Sequence, residues 1–175
     1  MCTDFKNYFF MNFEIQNNGE GREYREKYIA DQDTLAVMTY RHPTIRSIIL
    51  TKKGIVESSS TPKEIIEATC IRYFSNFEGR RQASHKLMQY SYKAPIIISE
   101  HLMLVAFPTK SILNGENNWF FANNMVSVDK NNGKDPTIIF EPGITLTIDE
   151  SFHTLSYQFM KSLALTYLYQ SLLKK

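Results

Sequence analysis

The 175-residue sequence predicts an α+β fold, predominantly antiparallel β-strands with one internal helix and a C-terminal helix. Three observations carry that expectation. Short apolar runs recur between glycine, proline and asparagine turn signals along most of the chain. One internal stretch, "STPKEIIEATCIRYF", has both helix-start grammar and helical spacing. The sequence from Ser151 onward keeps a helical period with no glycine or proline to break it. No repeat or linker divides the chain, so a single domain over residues 1–175 is expected.

Taken in order, residues 1–27 read as a loosely ordered N-terminal arm, because "NNGEGREYREKYIADQDT" (residues 17–34) is polar and holds two glycines. "TLAVMTY" then reads as a strand, and "SIILTKKGIVESS" as two strands about a turn at Lys53-Gly54. In the internal helix Thr61 is the expected cap, Pro62 the first helical residue and Glu64 the closing member of a capping box. Ile65, Ile66, Thr69, Cys70 and Tyr73 then fall on one helical stripe. "SNFEG" is expected as a loop. The alternation of Met88, Tyr90 and Tyr92 with Leu87, Gln89 and Ser91 favours a strand, although "RRQASHKLMQ" could also open as a helix.

"APIIISEHLMLVAFPT" reads as two buried strands turning near Glu100-His101. "WFFANNMVSVDKNNGKDPTIIFEPGITLTID" supplies further strands, with turns at Asn131-Asn132-Gly133 and Glu141-Pro142-Gly143. Trp119 reads as a core side chain rather than a base-stacking one. Ser151 is the expected cap of the last helix, whose apolar stripe runs Phe152, Leu155, Phe159, Leu163, Tyr167 and Leu172-Leu173. That stripe suits either packing on the chain's own sheet or a dimer seam. Lys174 and Lys175 suit the negative end of its dipole.

Composition excludes little by itself. Net charge is +2, so any case for a polyanionic partner rests on how charge is distributed. Cys2 and Cys70 make a poor disulfide framework and fit a reducing compartment. No stretch approaches the roughly 18 apolar residues of a membrane span, and a soluble, cytoplasmic protein without a membrane partner is expected. His42, His85, His101 and His153 lack zinc-site spacing. "GEGREY" lacks the strand before it and the Lys-Ser/Thr ending of a phosphate loop. Glu20, Glu23 and Glu26 lie among Arg22, Arg25 and Lys27, as on a solvated face. Cys70 falls on the apolar stripe and reads as a buried structural thiol. No enzymatic activity, cofactor or metal is expected.

One stretch departs from charge balance. Between Ala68 and Ser99 stand Arg72, Arg80, Arg81, Lys86 and Lys93, against Glu78 as the one anion. Such cations displace counterions from phosphates, and arginine suits the negative potential of a narrow A·T-rich minor groove. Gly79, just before Arg80, would let the backbone turn sharply or approach a phosphate closely. Ser84, His85, Gln82 and Gln89 add hydrogen-bonding groups. Charge alone fits an ordinary solvated surface as well.

The chain resembles the ComK family of bacterial competence transcription factors. The matching pieces occur in order: "DTLAVM", "EIIEATCIRYF", "EGRR", "YKAPIIIS", "FPTKS", "NWFFANNMVSV" and "IDESFHTLSYQF", roughly Tyr28 to Phe159. The resemblance implies a DNA-binding activator of DNA-uptake genes. It implies recognition of paired A-rich and T-rich boxes, mainly through the minor groove, by dimers that associate further. RNA polymerase and an adaptor to a Clp protease are the other implied partners. Placed on this sequence, Gly79, Arg80 and Arg81 lie in the shared "EGRR" segment, Lys86 and Lys93 downstream of it, and Lys110-Ser111 after Phe107-Pro108-Thr109. Charge and position make Arg80, Arg81, Ser84, Lys86, Lys93 and Lys110 the candidate DNA contacts. "SNF" at residues 75–77, Asn118 before the tryptophan and the short segment after the last helix depart from the family pattern. They leave open an alternative: a non-activating binding protein that pairs with a relative or titrates the adaptor.

Overall fold

The computed structural model describes residues 6–10, 12–17 and 21–174. The chain opens with a hairpin of β1 (Lys6–Phe10) and β2 (Phe13–Asn17), followed by β3 (Arg22–Arg25). A meander of β4 (Thr34–Thr39), β5 (Ser47–Thr51) and β6 (Gly54–Ser58) comes next. Two helices follow, α1 (Pro62–Arg72) and α2 (Phe77–Met88). Then come β7 (Ile96–Ser99), β8 (Leu104–Pro108) and β9 (Trp119–Phe121). After a 3-10 turn at Ala122–Asn124, β10 (Met125–Asp129), β11 (Thr137–Phe140) and β12 (Ile144–Ile148) lead into α3 (Phe152–Leu173).

The strands form two sheets, one ordered β1-β2-β12-β11-β10 and the other β3-β6-β5-β4-β9-β8-β7. Every pairing is antiparallel except β3 with β6. Except at its β3 edge, the larger sheet is covered on both faces, which is why β4, β5, β7 and β8 read as unbroken apolar runs rather than alternating ones. On β5, Ile48 and Leu50 point to the smaller sheet while Ile49 points to the helices. On β9, Phe120 faces the smaller sheet, and Trp119 and Phe121 face Ile65, Cys70 and Phe77. α1 and α2 therefore cap one face of the larger sheet. α3 lies on the opposite face at the β7–β8 end, where Leu165 meets Ile97 and Val105.

The α+β class holds, with a correction to its helix content: the chain has two internal helices, not one. α2 occupies the residues that include "RRQASHKLM", and the loop expected at "SNFEG" ends at Asn76. Asn76 caps the helix by accepting a 3.1 Å hydrogen bond from Gly79 N–H. Gln89, at φ 56, takes the left-handed conformation that stops it. The alternation over residues 87–92 straddles this helix end, so its period of two reflects no strand. Gly79 is the third helical residue, and nothing lies within 4 Å of where a Cβ would sit. It is no hinge.

The arm expected over residues 1–27 is largely strand. β2 joins β12, β3 runs beside β6 with Arg22 bonded to Glu57, and Tyr28 and Ala30 beyond it are buried. Residues 1–5, 11 and 18–20 lie outside the described residues, Cys2 among them.

Candidate nucleic-acid interface

The site is built on the α1–α2 corner. Thr61 and Glu64 form the capping box that starts α1: Thr61 Oγ1 accepts from Glu64 N–H at 3.2 Å, and Glu64 Oε2 accepts from Thr61 N–H at 2.7 Å. Phe74, at φ 55 and 98% exposed, reverses the chain between the helices. α2 is then pinned by Phe77, whose ring meets Trp119 edge-on at 5.9 Å. Trp119 is 2% exposed and belongs to the core, as expected.

That anchoring decides which side of α2 each candidate occupies. Arg80 turns inward and forms a bidentate ion pair with Glu100 in the β7–β8 turn; Nη2 donates to Oε2 at 2.8 Å and Nη1 to Oε1. Its side chain is 22% exposed, so its charge is already committed to holding α2 on the sheet. Ser84 is 4% exposed and offers nothing to a ligand. Arg81 points the other way and donates to Glu78 from Nε (2.9 Å) and Nη2 (2.5 Å). Lys86 is exposed on α2, Lys93 half-buried after it, and Lys110 half-exposed at the end of β8.

Arg81 and Lys93 meet at a groove of about 650 Å³ between α1, α2 and the loops at residues 91–94 and 111–113. Lys63, His85 and Tyr92 also line it, with Ile71 and Leu113 as its apolar part. Lys86 and Lys110 lie outside the lining. Thus the structure brings two of the six candidates together, sets two nearby, and assigns Arg80 and Ser84 to packing. Glu78 and Glu67 offset part of the charge. The hydrogen bond from Arg81, with a second from Gln82, pulls the Glu78 carboxyl down to about 2.

The loop carrying Tyr92 and Lys93 is held from beneath by α3. Gln158 Nε2 donates to Lys93 O and to Pro108 O, both at 2.7 Å. Lys161 Nζ donates to Tyr92 O at 3.0 Å and lies 4.5 Å from the Tyr90 ring centre. Burial, with Lys93 nearby, lowers the Lys161 pKa from its ordinary value. From the other side His85 Nε2 bonds Ser91 O at 2.8 Å. Lys93 itself sits at φ 51. Sequence reasoning missed Lys63, Gln158 and Lys161. The last two carried one signal, polar side chains at helical spacing on what became the buried face.

Cys70 is buried, and desolvation raises its thiol to about 11, which suits packing rather than nucleophilic chemistry. Among the described residues no group of three or more His, Cys, Asp or Glu could hold a metal ion. Among them also, no helix is long and apolar enough to cross a membrane.

The family model described as ComK protein matches residues 25–174. The chain belongs to the ComK family. The ComK match takes in the groove, α2 and all of α3, and begins at the last residue of β3. A relative from Bacillus subtilis (strain 168), the competence transcription factor, is 22% identical over 134 residues, which are 76% of this chain and 70% of that protein. No solved structure matches the chain.

Proposed function

We infer that this chain is a competence transcription factor that binds double-stranded, A/T-rich DNA through the α1–α2 groove and the loops at its rim. One observation carries the reading: a concave surface lined by Lys63, Arg81 and Lys93 is bordered by two exposed apolar side chains, Tyr92 (79%) and Leu113 (96%). A sugar–phosphate strand fits such chemistry, with cations at its phosphates and apolar groups against deoxyribose. With one strand in the groove, Leu113 and Lys110 on the neighbouring loop reach the adjoining minor groove. Apolar wedges and cations are used there to read A·T-rich, deformable sequence. Lys86 extends the phosphate-facing surface along α2.

The test is a gel-shift series on A/T-box and G·C-rich DNA across salt. Lys93→Glu is expected to weaken binding and to flatten the salt slope by about 0.9 per lost phosphate contact. Leu113→Ala is expected to narrow the preference for A/T boxes, and a netropsin-type ligand in the minor groove to displace the protein. Persistence of the complex under saturating netropsin would favour a second reading, for which α2 itself supplies an observation. Gly79, Gln82, Ala83 and Lys86 form an exposed helix face, two small residues beside two hydrogen-bonding ones, of the kind that enters a major groove.

The same reading includes self-association, contact with RNA polymerase at DNA-uptake genes and control by a Clp-protease adaptor. A reporter gene behind an A/T-box promoter separates an activator from a non-activating binding protein. Promoter occupancy without transcription is the result that favours the latter.

A further inference from the structure

α3 faces the solvent with the wrong residues for a solvated helix. Over its 22 residues the one charged side chain, barring histidine, is Lys161, and Lys161 is 5% exposed. The buried side is polar for a core face, with Gln158, Lys161 and Ser162 beside Leu155 and Leu165. The outward side holds Tyr157, Met160, Leu163 and Tyr167, each at least half exposed (52%, 66%, 50% and 74%). Monomeric domains seldom leave so continuous an apolar strip in water.

The order of residues along that strip says what covers it. Ser156, Met160, Leu163, Tyr167 and Gln170 follow spacings of four, three, four and three, the repeat of a helix–helix seam. Leu163 stands at the middle of that strip, with Ser156 and Gln170 each seven residues from it. If a second α3 is laid antiparallel, Leu163 meets Leu163, Met160 falls beside Thr166 and Tyr167, and Ser156 meets Gln170. The ends match as well. Asp149 and Glu150 precede the helix and Lys174 follows it, so each acidic end meets the other's basic end. Parallel pairing would instead set Lys174 against Lys174 and align the two dipoles. An uncharged face that is self-complementary on reversal is what a two-fold interface requires.

We infer that the outward face of α3 pairs antiparallel with the same face of a second copy of this chain, centred on Leu163. This gives the self-association in the functional reading a surface, on the side of the β7–β8 end away from α1 and α2. Its area is modest. The four large side chains and their neighbours expose on the order of several hundred Å² per copy, against about 800 Å² in a standard interface. A reversible dimer in the micromolar range is therefore expected.

The experiment uses the full chain with Cys2→Ser, without DNA. Light scattering across concentration is expected to show mass doubling, and Leu163→Glu to stay monomeric with unchanged helical circular dichroism and melting temperature. Met160→Lys, also on an exposed position, is expected to behave alike. In a mixture of Ser156→Cys and Gln170→Cys chains, a short bismaleimide is expected to join the two kinds. In an antiparallel pair two Ser156 sites lie about 21 Å apart, so Ser156→Cys chains alone stay unlinked. A parent that stays monomeric at all concentrations overturns both the surface and unaided self-association. A dimer that survives Leu163→Glu and Met160→Lys overturns the surface alone. Linkage of Ser156→Cys chains to one another overturns the antiparallel order. DNA affinity, measured separately on the same variants, decides the groove reading independently.

Discussion

Helices α2 and α3 both border residues 89–93, and they handle charge in opposite ways. α2 carries its cations on the side chains that sequence singled out, yet splits them: Arg80 locks onto Glu100 beneath the helix, while Arg81 lies at the groove with Glu78. α3 carries one cation and buries it under backbone carbonyls, leaving apolar side chains outside. The contrast teaches that residue type fixes what a side chain can do, and packing fixes which side it does it on. Two adjacent arginines diverge because an α-helix turns about 100° per residue.

The variant expected to act most strongly on this contrast is Gln158→Ala. It leaves the carbonyls of Lys93 and Pro108 without their shared donor, at a cost of about 2–4 kcal/mol. Urea denaturation checks it, and a midpoint equal to the parent's would show that α3 does not hold the loop. Arg80→Ala comes next, at about 1 kcal/mol, since Glu100 remains partly solvated and the pair is discounted accordingly. It should leave the salt slope of DNA binding unchanged. Arg81→Ala should do the reverse, with a melting curve matching the parent's and a shallower slope. If both arginines move both readouts equally, the division of labour within α2 is wrong.

Smaller effects come from the acid side of the groove. Glu78→Gln frees Arg81 for phosphate, so DNA affinity is expected to rise by roughly two- to fivefold at low salt, a modest electrostatic gain. Lost affinity would mean that Glu78 positions Arg81 rather than competing for it. The pH dependence has a definite sign. Hydrogen bonding to arginine lowers the carboxyls of both Glu78 and Glu100 in the folded chain. Their contribution is thus present above the ordinary glutamate value near 4.3 and fades as pH falls, for Glu78 through about 2. Thermal melts from pH 5 to pH 2 should decline more shallowly in Arg80→Ala, which removes the partner that lowers Glu100, than in the parent.

Much of the fold was legible because its signals are local. The capping box at Thr61 and Glu64, the cap at Ser151 and the apolar runs of β5, β7 and β8 depend on neighbours in sequence. α2 was harder, since its stop is a non-glycine residue, Gln89, in a left-handed conformation. β3 was harder still. Its charged residues, Arg22 to Arg25, form a strand through pairing with β6, more than thirty residues away. The candidate site was half legible. Charge density located α2, but the orientation of Arg80 needed Glu100, and the inward turn of Lys161 needed carbonyls that converge only once the sheet is closed.

Lys161 has one more consequence. With the carbonyls of Tyr92 and Lys93 above it and the rings of Tyr90 and Tyr157 beside it, its amine meets an acylating reagent only when that roof lifts. Acylation of Lys161, timed against that of exposed Lys130, becomes a clock for the breathing of the groove's rim. A polyanion seated across the rim should make the clock run slow.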